Sequence, residues 1–395
     1  MTIRMSAPDL TEAEVRAVLD VLKTPDLSNG PRIEAFEQAF AAYAGTNRGI
    51  GVSSGTAGLH LAVIAAGVGE GDLVLTTPFS FVASANCVLY ERGIPVFVDV
   101  DPATGNIDPA LVAEAVEDLV KGGVAARGWL PPALRKTAGG KRKLKAILPV
   151  HAFGQPADMD PVLRAARKHG LPVLEDACEA VGAEYKGRKV GALGDVGVYA
   201  FYPNKQMTTG EGGMMVTDRE DWDALFRSLR NQGRDVFDAW LNHSRLGYNY
   251  RLDELSAALG LAQLERLEEL IAKRARVASW YLERLADLDL VEPPQVVPHT
   301  TKMSWFVFVI RLKAPARRSE VMSRLERAGI PCRPYFSPIH LQPFYRGRFG
   351  YRGKEFPVTE DLGERSLALP FHNHLTEDDV SYVVEKLRRA LLRSH

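Results

Sequence analysis

Apolar positions along this chain alternate between two periods. Residues 73–76, 95–100, 146–150 and 172–175 are short, nearly unbroken apolar runs of strand length. Between them, 81–92, 109–120 and 158–168 carry apolar residues at helical spacing. Strands covered on both faces read as unbroken apolar runs, so this alternation predicts a mostly parallel sheet with right-handed helical crossovers. Ligands in such sheets lie beyond the carboxyl ends of the strands, so motifs that follow strand ends are expected to share one cleft.

The same patterning extends to both termini. Thr11 and Glu14 form a capping box for a helix ending near Lys23, and Asn29-Gly30-Pro31 breaks the chain before an amphipathic helix over 33–43. Residues 196–202 and 213–216 read as buried strands, and 219–230 as a helix. A long helical pattern over 252–285 bridges to a smaller α+β lobe, with a strand at 305–312, a helix at 318–328 and a last helix capped by Thr376 and Asp379. Three units follow: an N-terminal arm and helix (1–28), a large domain (29–262) and a small C-terminal domain (263–395). Between 122 and 145 the pattern lapses into Gly, Pro and basic residues, including Arg135, Lys136, Lys141, Arg142, Lys143 and Lys145. This stretch reads as a solvated surface loop.

Composition narrows the function. Lys plus Arg and Asp plus Glu number 49 each, so no overall field points to nucleic acid or an anionic membrane. Cys87, Cys178 and Cys332 are far apart and form no CxxC, which argues against a disulfide framework or a tetrathiolate zinc site, and no metal is expected. No apolar run approaches bilayer length, and MTIRMSAPDLTEAEV lacks the apolar core of a signal peptide. The expected compartment is the cytosol.

One stretch carries the candidate chemistry: 199–217, YAFYPNKQMTTGEGGMMVT, with Lys205 between an apolar run and a loop of Thr and Gly. Most lysines project into water. Here the flanking strands hold the loop near an interior, and Gly210, Gly212 and Gly213 permit close backbone approaches. An amine in a partly apolar site loses its proton more readily and becomes nucleophilic toward carbonyls, as a Schiff-base lysine must be. Upstream, Ser54-Gly55-Thr56-Ala57 opens an apolar helix, presenting unpaired N–H groups that suit a phosphate, although this stretch taken alone reads first as a plain N-cap. Asp176 ends a strand 29 residues before the lysine (205 − 176), where it either caps the next helix or holds a protonated pyridine nitrogen. Phe81 follows another strand end and is either core or a ring for stacking. Together these parts specify pyridoxal phosphate better than any one of them.

The motifs SSGTAGLHLA, TTPFSFVASAN, PVHAFGQPADMD, LEDACEAVGAEYKG, FYPNKQMTTGEGGM and LGYNYRLDELSAALGLAQL resemble the nucleotide-sugar aminotransferases of polysaccharide and secondary-metabolite biosynthesis. These are fold-type I pyridoxal-phosphate enzymes, α/β proteins with a mostly parallel central sheet and a smaller C-terminal α+β lobe. The resemblance runs from about Asn29 to the C-terminus, interrupted mainly at 122–145, which looks like an insertion. It implies Lys205 as the Schiff-base lysine, Asp176 at the pyridine nitrogen, Phe81 on the ring, and Gly55, Thr56 and Ala57 at the phosphate. It places Glu179 beside the cofactor and the lysine, and Tyr335 and His340 in a stretch that closes over the sugar. Asn249, within GYNYR, would reach the cofactor of a partner subunit, which implies a homodimer with shared sites. Ala200 departs from the pattern, standing where many relatives have a Ser that bonds the phosphate.

The expected reaction is a ping-pong transamination from glutamate to a keto-sugar carried on a nucleoside diphosphate, a 4-keto-6-deoxyhexose by weak analogy. Amination of a free cyclic ketone such as an inosose is the runner-up. A sugar dehydratase would replace Lys205 by His or need more cysteines, and a desulfurase would need a mobile cysteine where Cys332 lies in a proline-braced stretch. A non-catalytic pyridoxal-phosphate-binding regulator would be favoured by loss of Lys205 or Asp176, and both are intact.

Overall fold

The computed structural model describes residues 3–137, 142–235 and 242–392. The chain opens with helices α1 (Glu12–Val21) and α2 (Pro31–Ala44). Then come β1 (Arg48–Val52), α3 (Gly55–Ala65), β2 (Leu73–Thr76), α4 (Ala83–Tyr90), β3 (Ile94–Phe97) and α5 (Pro109–Lys121). α6 (Gly123–Arg127), β4 (Leu144–Ile147), α7 (Met159–His169) and β5 (Leu174–Asp176) follow. The large lobe closes with β6 (Glu184–Tyr185), β7 (Arg188–Lys189), β8 (Val196–Ala200), β9 (Gly213–Thr217), α8 (Glu220–Arg230) and α9 (Glu254–Glu265).

β1, β9, β8 and β5 lie side by side in that order, as do β4, β2 and β3. Parallel bridges Ile147–Val173 and Val150–Asp176 join the two groups through β4 and β5. Strand pairing is parallel except at β9, which is antiparallel to both β1 and β8. The connection from β8 to β9 contains no helix, so the chain must return antiparallel. That return is the lysine loop. The predicted mostly parallel α/β sheet is therefore observed, with its one reversal at the chemistry.

α10 (Leu267–Leu285) carries the chain out of this lobe: Leu267, Leu270 and Ile271 pack into the large core, whereas Val277, Ala278, Tyr281 and Leu285 pack into a second one. Beyond it lie β10 (Val291–Glu292), β11 (Thr300–Lys302), β12 (Phe308–Leu312), α11 (Arg318–Arg327), β13 (Arg333–Pro334), α12 (Pro343–Phe349), α13 (Pro357–Arg365), β14 (Ser366–Leu369) and α14 (Glu377–Leu392). An antiparallel sheet in the order β10-β12-β14-β13 forms the second lobe, together with α11, α14 and the distal half of α10. Among the described residues, no helix is long and apolar enough to cross a membrane.

Both capping boxes, Thr11–Glu14 and Thr376–Asp379, form. Three expectations need correction. The helical pattern over 252–285 divides at Arg266, whose guanidinium turns back to Glu14 and Asp9 at the N-terminus. The strand predicted from 305 begins at Phe308, because Trp305 adopts a left-handed backbone (φ 52°) that cannot continue a strand. The basic stretch 122–145 is not a solvated loop where described: α6 buries Ala126, Leu130 joins the large core, and Trp129 donates its indole N–H to Asp118. Residues 138–141 of that stretch lie outside the described residues. A fourth finding concerns the C-terminal part, where Ile339, Tyr345, Phe349 and Tyr351 pack into the core of the large lobe rather than their own.

Candidate active site

The loop between β8 and β9 is built inward. Phe201 donates its N–H to Gly212, Thr209 donates to Phe201, and Lys205 closes a turn onto Tyr202. Gly212 has φ 150°, and a methyl group there would lie 2.3 Å from the Thr209 hydroxyl. Gly213 leaves no more room, since its methyl would meet Tyr199 O at 2.7 Å and Gly55 N at 2.8 Å. Packing this close delivers the Lys205 side chain, only 13% exposed, into a cavity of about 590 Å³. Its Nζ sits 3.8 Å from the Phe306 ring centroid and 3.8 Å from Glu179 Oε1. The ring face and the carboxylate both attract an ammonium.

Across the cavity, Asp176 ends β5 and is buried. Its Oδ1 accepts the Cys178 N–H at 3.1 Å and its Oδ2 accepts the Ser84 hydroxyl at 2.7 Å. Glu179, three residues on, accepts the Phe153 N–H at 3.0 Å. Burial pushes the Glu179 carboxyl above its ordinary value, and Lys205 opposes that shift. Glu179 thus retains a proton more readily than a free carboxyl does, directly opposite the lysine.

α3 points its N-terminus into the same cavity. Ser54 caps it by accepting the Ala57 N–H at 3.1 Å. The N–H groups of Gly55 and Thr56, at the first two helical positions, have no acceptor inside the helix and face a cavity wall. Ala57 is buried, is not part of the lining, and has already committed its N–H to Ser54. Ala200 also lines the cavity, its methyl packed so close to Gly55 that a Cβ at 55 would approach it to 2.7 Å. Phe81 is 63% exposed at the rim, an arrangement that leaves its ring face free.

Tyr335 lines the cavity, and burial raises its phenol well above the ordinary value. His340 does not line it. It is fully buried behind the turn, pairs with Glu360 Oε1 at 3.0 Å, and packs edge-on against Phe356 and Tyr351. Burial pulls its imidazole below the ordinary value. The proline-braced turn faces inward, so His340 stands behind the cavity wall rather than on it. Asn249 is exposed, bridges to Asn231, and lies outside this cavity.

Sequence reading missed several residues of the site. Phe306 looked like part of a strand, yet its ring lies under the lysine amine. Gln206 donates to Glu179 O at 2.6 Å and to Ser304 at 2.9 Å, which ties the lysine loop to the entry of the second lobe. Arg274 on α10 is buried and donates to the carbonyls of Trp305 at 2.7 Å, Phe306 at 2.8 Å and Asn204 at 3.4 Å. Burial alone lowers its guanidinium to about 10. Ser80 and Ser84, four residues apart in TTPFSFVASAN, offered the one legible hint, a helical spacing of hydroxyls.

The residues present fit a phosphorylated pyridine aldehyde: an amine, a carboxylate, two free N–H groups at a helix start and an exposed ring converge on one cavity. The comparisons agree. The DegT/DnrJ/EryC1/StrS aminotransferase family matches residues 8–388. GDP-perosamine synthase of Caulobacter vibrioides is 39% identical over 394 residues, spanning 99% of this chain and 98% of its own. The spore coat polysaccharide biosynthesis protein SpsC of Bacillus subtilis is 34% identical over 397 residues, covering 97% and 95%. The crystal structure of S. venezuelae DesV in complex with a ketimine intermediate superposes with a TM-score of 0.85 at 32% identity, covering 98% of both chains. This chain belongs to the DegT/DnrJ/EryC1/StrS aminotransferase family; it is an aminotransferase, and its cofactor is pyridoxal phosphate.

Proposed function

We propose that this aminotransferase moves the amino group of glutamate to a keto-sugar carried on a nucleoside diphosphate, with a 4-keto-6-deoxyhexose favoured, for polysaccharide or antibiotic sugar biosynthesis. The observation that carries the reading is the placement of Lys205 between Phe306 and Glu179 in the cavity that Asp176 also lines. Full-length similarity to a GDP-perosamine synthase supports the sugar nucleotide. So does a groove of about 840 Å³ that shares Ser80, Phe81, Phe336 and Ser337 with the cavity and has room for more than a free sugar.

Pyridoxal phosphate, when bound, supplies an aldehyde that captures amines and a pyridine ring that accepts electrons. The protein does the rest. Gly55 and Thr56 N–H groups would hold the phosphate, Asp176 the ring nitrogen and Phe81 the ring face. The Lys205 amine would take the proton from the donor's Cα. Glu179 orients that amine and holds a proton beside it. The aromatic side chains of Phe306 and Tyr335 exclude water from the reacting carbon. Asn249, exposed and outside its own chain's cavity, suits a role in a partner's site, so the active form in this reading is a homodimer working in the cytosol.

An absorbance spectrum of the purified protein with and without excess glutamate tests the reading, alongside Lys205→Ala. Glutamate bleaches a visible cofactor band in the wild type, the variant has no such band, and a nucleotide-linked keto-sugar restores it. A band untouched by glutamate overturns the donor. Restoration by an inosose and by no nucleotide sugar transfers the assignment to free cyclic ketones.

A further inference from the structure

The carboxylate assigned above to the ring nitrogen is not held by its own strand alone. Ser84 Oγ lies 2.7 Å from Asp176 Oδ2, 2.8 Å from Ser80 Oγ and 3.2 Å from Phe81 O. Ser84 has one proton to give. A bond to a carboxylate is charge-assisted and shorter than a bond to a carbonyl, so the proton goes to Asp176. The Ser84 oxygen is then free to accept from Ser80. Both hydroxyls line the cavity, and Ser80, Ser84 and Asp176 are 4%, 1% and 4% exposed. Water therefore cannot easily substitute for either bond.

We infer that Ser84 is a positioning residue for the aminotransfer, the middle of a directional chain from Ser80 through Ser84 to Asp176 Oδ2. This inference rests on the proposed role of Asp176. The chain does two things. With Cys178 N–H on Oδ1 and Ser84 on Oδ2, the carboxylate plane cannot turn, so its remaining lone pairs point one way. Hydrogen bonds donated to a carboxylate also favour its charged form, the form a protonated ring nitrogen needs opposite it. The chain further couples chemistry to binding, because Ser80 immediately precedes Phe81. The loop that offers the stacking ring is thereby tied to the carboxylate that offers the charge.

A charged ring nitrogen disfavours a second proton on the nearby carbon–nitrogen double bond to Lys205. Loosening the grip of Asp176 therefore raises the pH midpoint of the visible cofactor band. Among the described residues, Cys87, Cys178 and Glu179 are titratable groups that interact with Asp176 and Lys205 shares its cavity; all four are unchanged in the variants below. In Ser84→Ala the midpoint should rise by about one pH unit and the dissociation constant for pyridoxal phosphate by about tenfold. Ser80→Ala, one bond upstream, should shift both in the same direction by less. Tyr345→Phe serves as the packing control: it removes a 2.8 Å bond to Asn86 on the same helix without touching the chain, and should leave the midpoint unchanged. A wild-type band whose midpoint is the same in Ser84→Ala overturns the role of Ser84, as does a Tyr345→Phe shift of equal size. If Ser84→Ala does not fold, Ser80→Ala decides, and an unmoved midpoint there counts against the chain. A wild type with no visible band overturns the assignment of Asp176 and Lys205 instead.

Discussion

The two walls of the cavity differ in kind. The wall from β5 and α4 is polar and closed: both oxygens of Asp176 are bonded, and Ser84 and Ser80 extend the network. The facing wall is aromatic, built from Phe306, Tyr335 and Phe336, with Phe153 stacked on Phe336 at 5.0 Å. Beside it are buried polar atoms with no hydrogen-bond partner among the described residues, Asn204 Oδ1 and Gln206 Oε1. The first wall belongs wholly to the large lobe, whereas the second is brought in by segments beyond α10. A fixed charge works only where its surroundings cannot reorganise, so it sits in the sheet. Apolar shape tolerates adjustment, so it is supplied by segments beyond α10, which reach the large lobe through backbone bonds such as Phe306 N–H to Phe153 O and through the packing of Ile339, Tyr345, Phe349 and Tyr351.

The difference is most sharply broken from the polar side. Asp176→Asn keeps the shape of that wall and removes its charge, so kcat should fall by about 10³-fold while the melting temperature stays within a few degrees. Steady-state kinetics and a thermal melt on the same preparation check it; a loss of stability matching the loss of rate would make Asp176 a packing residue.

On the aromatic side stability should respond first. Arg274→Met strips donors from the buried carbonyls of Trp305 and Phe306 and the half-buried carbonyl of Asn204, and should lower unfolding free energy by about 4 kcal/mol in urea titrations. An unchanged midpoint in urea would mean that the second wall is held by packing alone.

Acid should loosen this same side. His372 is buried, and burial first, then His374 and Arg274, lower its imidazole from 6.5 to about 4. Between those values the unfolded chain binds the proton and the folded chain does not, so stability present above pH 6.5 is lost as pH falls toward 4, by about 3 kcal/mol. His372→Asn should flatten that slope, measured as unfolding free energy at several pH values. A slope that survives the substitution belongs to another group.

The smallest effect is expected at the contact between the walls. Phe306→Leu keeps bulk and loses the ring face under Lys205, which should cost about 1 kcal/mol, or a few-fold in kcat/KM, with little change in melting temperature. Equal kinetics would show that the ring only fills space.

How legible the site was depended on where each residue stands relative to the sheet. Lys205 and Asp176 could be read because one follows and the other ends a strand that its own apolar run announces. Gly55 and Thr56 could be read because a helix start exposes N–H groups wherever it occurs. Phe306 could not, since an aromatic residue inside MSWFVFVI looks like core until the left-handed turn at Trp305 is seen. That His340 points away from the cavity could not be read, because two prolines define a turn without saying which side of it faces the cleft. The stretch 122–145 was misread because Ala126 and Leu130 are too few apolar positions to reveal that a neighbouring helix covers them.

Order along the chain, then, determined the sheet, its helical crossovers, the lysine loop and the cofactor, because period and capping act over a few residues at a time. Only the tertiary structure decided which distant groups meet: Ser84 with Asp176 across 92 residues, Arg274 with Asn204 across 70, and Phe306 with Lys205 across the lobe boundary. Such contacts depend on how lobes dock and on which buried donors find acceptors, and local pattern carries no record of either.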